Sequence, residues 1–123
     1  MTTERNAESF SNESISIFIP VKPVPKGRPR MTRRGRVFTP QRTLEAEALV
    51  RATWGNRPKF DGPVSLVVNF ASDGTLIVVC PYYGSKSRLR GDIDNYIKTI
   101  MDGLNGAAWG DDRQVLHVTA EKQ

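Results

Sequence analysis

Prolines at positions 20, 23, 25 and 29 constrain this chain more than any other feature. Each fixes its own φ and lacks the N–H that a helix or sheet ladder requires. Residues 20–29 are therefore expected to run extended along the surface. On the N-terminal side, Ser14-Ile15-Ser16-Ile17-Phe18-Ile19 places apolar residues at 15, 17 and 19, the alternation of a half-buried strand ending near Pro20. Before it, residues 1–13 are polar and carry Glu4, Arg5 and Glu8. They read as a disordered tail without the basic start and apolar middle of a secretory signal.

Beyond the prolines, Arg34-Gly35-Arg36 looks like a turn, with Val37-Phe38-Thr39 returning as a short strand. Thr39 then caps a helix with Pro40 at its first position. That helix covers residues 40–54, with Leu44, Ala48, Val50 and Trp54 as its apolar face and Gly55-Asn56 as its stop. Val64, Leu66, Val68 and Phe70 alternate inward, Ser72-Asp73-Gly74 turns, and residues 75–80 complete a hairpin. Ile93, Ile97, Ile100, Met101 and Leu104 keep helical spacing, and residues 114–120 read as a final strand. With 123 residues the chain suits one domain with one core, here over residues 14–123. The expected class is α/β (α+β), a small mixed β-sheet with two helices packed on it.

Several functions are disfavoured at once. No apolar run approaches the ~20 residues of a membrane-spanning helix. The single cysteine, Cys80, permits no intrachain disulfide or thiolate cluster and fits a reducing cytoplasm. It reads as core filler, and His117 has no partner for nucleophilic chemistry. No GxxxxGK[ST] phosphate loop is present.

The net charge of +5 points to an anionic partner, but its distribution says more. Lys26, Arg28, Arg30, Arg33, Arg34, Arg36 and Arg42 follow one another with no acidic residue between them. Arginine grips phosphate oxygens bidentately, so the basic arm from Lys26 to Arg36 suits a nucleic-acid backbone. It has no interleaved aromatics for base stacking. A plain solvated loop is its alternative.

The carboxylates gather later. Asp92 precedes the second helix and Asp94 lies in its first turn, so both can reach one rim, while residues 94, 98, 102 and 105 share the face opposite the apolar stripe. Crowded carboxylates repel unless a cation relieves them, and Mg²⁺ takes one or two carboxylates together with substrate phosphates. Such an ion activates water near neutral pH, and Lys98, one turn from Asp94, is placed to stabilise the phosphorus-centred charge. After the tight turn at residues 106–110, Asp111 or Asp112 adds a third carboxylate; adjacent residues at a strand start point to opposite faces, so one of the two serves. The competing explanation is ordinary: Asp92 caps a helix and Asp94 pairs with Lys98 on the surface.

The residues Val24-Pro25-Lys26-Gly27-Arg28-Pro29-Arg30, then Asp92-Ile93-Asp94-Asn95 with Lys98 and Asp102, Leu104-Asn105-Gly106, and Asp111-Asp112 with Gln114-Val115 resemble the RusA-type Holliday-junction resolvases. The ordered set spans most of the chain and is far harder to meet by chance than any one acidic pair. The resemblance implies a RusA-like fold and a crossover junction endodeoxyribonuclease of phage or bacterial origin. It would act in DNA recombination and repair as a homodimer on branched DNA, with Mg²⁺ (or Mn²⁺ as substitute) and no small-molecule cofactor. It assigns Asp92, Asp94 and Asp112 to the metal, with Lys98 as the catalytic lysine. Gly91 stands where the family has proline, implying a looser loop. The chain ends at Gln123, where the family adds a basic segment and strand, so a C-terminal strand is expected to be missing.

Two rival functions remain. In a non-catalytic DNA-binding protein the arm alone would act. Alternatively, a nuclease would cut other branched or duplex DNA.

Overall fold

The computed structural model describes residues 14–84 and 86–123; the tail expected at residues 1–13 lies outside the described residues. The chain forms two compact units, one within Met1–Tyr82 and one of Tyr83–Gln123.

In the first unit, β1 (Ile15–Ile19), β4 (Val64–Ala71) and β5 (Gly74–Pro81) form a sheet in the order β1-β5-β4, both pairs antiparallel. Ile17 and Ile19 are buried and Phe18 between them is exposed, as period-two alternation requires. β4 and β5 join through the two-residue turn Ser72-Asp73, with Ala71 opposite Gly74. A Cβ on Gly74 would stand 2.9 Å from the Ile19 carbonyl oxygen and strike the Phe18 ring, so a side chain there would part β5 from β1.

The prolines have the expected effect. Residues 20–29 form no regular element, and the chain then makes a small hairpin of β2 (Arg30–Met31) and β3 (Val37–Phe38). Its loop closes through Gly35 N–H to the Thr32 carbonyl, 2.9 Å, with Gly35 at φ +83°, where a residue without Cβ is favoured.

Helix α1 (Gln41–Trp54) begins after Pro40 and stops at Gly55, φ +61°. The expected cap differs, because Pro40 holds the cap position and no side chain caps the helix. The apolar face is also rotated. Ala46, Leu49, Val50 and Trp54, spaced by three and four residues, line a cavity of about 890 Å³ against the sheet. At 3.6 residues per turn, Leu44 and Ala48 fall on the other side, and Leu44 is exposed. On the sheet side, Leu66, Val68 and Phe70 line the same cavity, so the alternation in β4 identifies the inward face even though Leu66 and Phe70 remain exposed.

The second unit contains helix α2 (Ile93–Leu104) and a 3₁₀ turn (Asp112–Gln114). Ile97 and Met101, one turn apart on the apolar stripe, are its partly buried members. The final strand expected at residues 114–120 does not form; after the 3₁₀ turn the described residues have no regular structure. Its first residue, Gln114, is taken up by a capping box instead. Asp111 accepts the Arg113 N–H, and the Gln114 side chain accepts the Asp111 N–H, which holds the backbone in a tight turn where a strand would extend it. Two helices with small sheets make an α+β protein, the expected fold class, with the named strands paired antiparallel where a mixed sheet was expected. Among the described residues no helix is long and apolar enough to cross a membrane.

Candidate active site and nucleic-acid interface

The acidic segment belongs to the second unit. Asp92 occupies the N-cap position of α2, and its carbonyl accepts the Asn95 and Tyr96 N–H groups at 3.1 and 3.3 Å. Its carboxylate makes no capping hydrogen bond. Asp94, in the first turn, contributes its charge beside the N-terminal backbone dipole. Ion pairs within 4.0 Å join Lys26 to Glu47 and Arg113 to Asp111. Asp94 and Lys98 do not pair and Asp92 makes no side-chain cap, which leaves the helix dipole as the ordinary contribution to the acidic residues. Asp92, Asp94 and Lys98 are exposed.

Asp111 and Asp112 differ because their surroundings differ. One Asp111 oxygen accepts the Arg113 backbone N–H at 2.8 Å and approaches the Arg113 Nε at 3.3 Å, so its charge is committed to a cap and a cation. Asp112 is partly buried, and one oxygen accepts the indole N–H of Trp109 at 2.8 Å. A single neutral donor orients that carboxylate without neutralising it. The turn delivering it is closed by the Gly106 N–H to the Trp109 carbonyl, 2.6 Å, with Gly106 at φ +85°. The 3₁₀ cap was legible as the spacing Asp111-x-x-Gln114, the signature of a capping box.

Asp92, Asp94 and Asp112 are not gathered into one cluster: among the described residues no three carboxylate, imidazole or thiol groups stand close enough to hold one ion. Two oxygen-donor residues at the start of α2 do fit a hard cation that retains water and shares phosphate ligands. A closed three-carboxylate cage is not present. The loop ahead of them is not loose. Both polar groups of the Gly91 backbone are hydrogen-bonded, the N–H to Tyr96 Oη at 3.1 Å and the carbonyl from Lys122 Nζ at 2.8 Å. Lys86, Arg88 and Arg90, exposed in the run before Asp92, form a cationic flank that the count of basic residues in the arm alone overlooks. Alternating basic residues beside an acidic motif are the signal that marks it.

The basic arm belongs to the first unit. Arg28, Arg30, Arg33, Arg34 and Arg36 are all exposed. The arm is tied to α1 by the Gly27 N–H to the buried Thr43 Oγ1, 2.9 Å, and by Lys26 to Glu47, 3.3 Å. A Cβ on Gly27 would lie 2.9 Å from Pro40 Cγ, so glycine permits the close approach. Lys26, Arg28, Arg30 and Arg42 line a groove of about 460 Å³ that no carboxylate lines. Arg42 was absent from the DNA-binding set drawn from the sequence, although it closes the same cationic run.

Residues 20–123 match the family described as endodeoxyribonuclease RusA. The chain belongs to the RusA endodeoxyribonuclease family, and with it to the nucleases that cut within DNA. Comparison with curated proteins and with solved structures gives no match.

Proposed function

We propose that this protein is a structure-selective endonuclease that resolves Holliday junctions by hydrolysing phosphodiester bonds during recombination and repair. The observation that carries the reading is the family match over residues 20–123 together with carboxylates on Asp92 and Asp94 that neither cap nor pair. Exposed, unneutralised carboxylates at a helix start are costly beside a polyanion, and they are explained by a cation that phosphate also binds.

Asp92 and Asp94 would hold Mg²⁺, or Mn²⁺ in its place; Asp112, which does not stand with them here, would have to move to join them as the third carboxylate. When bound, the ion supplies Lewis acidity and a nucleophile at neutral pH. The Lys98 ammonium stabilises the charge that develops on the phosphate oxygens. Asp112, oriented by Trp109, is preferred over Asp111, which the 3₁₀ cap and Arg113 already engage. Arg28, Arg30, Arg33, Arg34 and Arg36, with Lys26 and Arg42, bind backbone phosphates without reading bases. Paired nicks across a four-way junction call for two copies of this site, hence a homodimer. A lone cysteine and a DNA substrate fit the cytoplasm of a bacterium or phage-infected host.

Labelled four-way junctions, flaps and linear duplex, each incubated with Mg²⁺ and with EDTA, test the reading. Symmetric cutting of the junction in Mg²⁺ alone is expected. Equal cutting of linear duplex defeats the junction assignment, and binding without metal-dependent nicking leaves a DNA-binding protein.

A further inference from the structure

Asp92 is held from both sides by groups that take no part in the chemistry just described. Ahead of it, Lys122 Nζ donates to the Gly91 carbonyl at 2.8 Å across 31 positions of sequence, in a partly buried contact. The Gly91 N–H donates to Tyr96 Oη at 3.1 Å. Behind it, the Asp92 carbonyl accepts the backbone N–H of the same Tyr96. Tyr96 therefore spans the loop, its backbone on Asp92 and its hydroxyl on Gly91. The ring lies against Gly91, and a Cβ there would come within 2.9 Å of Tyr96 Cε2. The peptides on either side of Asp92 are both fixed, while its carboxylate makes no capping bond.

We propose that Tyr96 and Lys122 are positioning residues that clamp the Gly91 backbone and so aim the Asp92 carboxylate at its cation. This rests on reading Asp92 as a metal ligand. The clamp requires an N–H at position 91, which proline cannot offer, and a residue without Cβ, which the Tyr96 ring requires. Glycine satisfies both. Neither clamp residue need touch the ion or the DNA, since partners that orient a ligand commonly change metal affinity about 10–100-fold.

The test uses the full chain with Mn²⁺ as probe, its dissociation constant measured without DNA. Tyr96→Phe and Lys122→Met are each expected to weaken Mn²⁺ about tenfold. Lys122→Arg, which keeps a donor, is expected to restore much of the loss. Hydrogen exchange at the Gly91 amide should accelerate in Tyr96→Phe, with junction affinity in EDTA and melting temperature unchanged. Asp92→Asn serves as the control. If it abolishes Mn²⁺ binding while both clamp variants bind as the parent does, the clamp is refuted and the site reading survives. If the parent binds no Mn²⁺, or Asp92→Asn binds it equally, both are refuted.

Discussion

In the basic arm, the contacts that fix the chain belong to Gly27, Thr43 and a single lysine, and they leave the guanidinium groups in solvent. In the acidic segment, the fixing contacts again fall on backbone, at Gly91 and Asp92, and again leave the charged ends of Asp92 and Asp94 without partners. The two regions share a construction and differ in sign. A surface arginine without a partner costs little, because water solvates it and any polyanion can take its place. Two carboxylates at one helix start repel each other and DNA alike. The arm can thus bind without the acids, whereas the acids have a use only once a cation is present.

Substitutions should therefore separate cutting from binding. The largest effect is expected from Asp94→Asn, which should lower junction cleavage by about 10²-fold or more, the scale of losing one electrostatic element of an active site. Gel-shift affinity in EDTA should hold or improve as a repulsive charge is lost; parallel losses in both assays would erase the contrast between the regions. Lys98→Met should come next, lowering kcat by about 10²-fold with little change in KM, the pattern of an interaction made in the transition state. A rise in KM at constant kcat would move Lys98 into the binding class. In the arm, Arg28→Gln with Arg30→Gln should weaken binding across all substrates and lower the slope of log K against log salt by roughly 2, about one unit per phosphate contact. An unaltered salt slope would show the arm to be an ordinary solvated loop. Smallest is the effect at Asp111: Asp111→Ala should cost about 0.5 kcal/mol of stability in urea unfolding through its cap, with cleavage retained, whereas Asp112→Asn should lower cleavage as Asp94→Asn does. The reverse result would exchange their roles.

The parts of the fold that follow from local rules were legible beforehand. The prolines at 20, 23, 25 and 29 keep residues 20–29 out of regular structure, Gly55 ends a helix, and the alternation in β1 and β4 names the inward face. The α1 face was misread because Leu44, Ala48, Val50 and Trp54 were gathered by hydrophobicity. The helical period selects Ala46, Leu49, Val50 and Trp54. The final strand was misread for a different reason. Val115, His117 and Thr119 have strand character, but strand character is expressed only where a neighbouring strand pairs with it, and among the described residues none pairs with 115–120.

The site divides in the same way. The sequence alone determined which residue types are present and in what order, and that order was enough to nominate Asp92, Asp94, Lys98 and the arm, because a family motif is a property of spacing. It could not say which carboxylates are already spent. That was decided by tertiary contacts over distances no motif encodes: Lys122 reaching Gly91 across 31 positions, Thr43 holding Gly27 across 16, and Trp109 orienting Asp112 while Asp111 is drawn into a cap. A carboxylate has the same formula whether it caps, pairs or waits for a cation. Only its neighbours in space distinguish these, because hydrogen bonds and charge interactions depend on distance and direction, and sequence separation fixes neither.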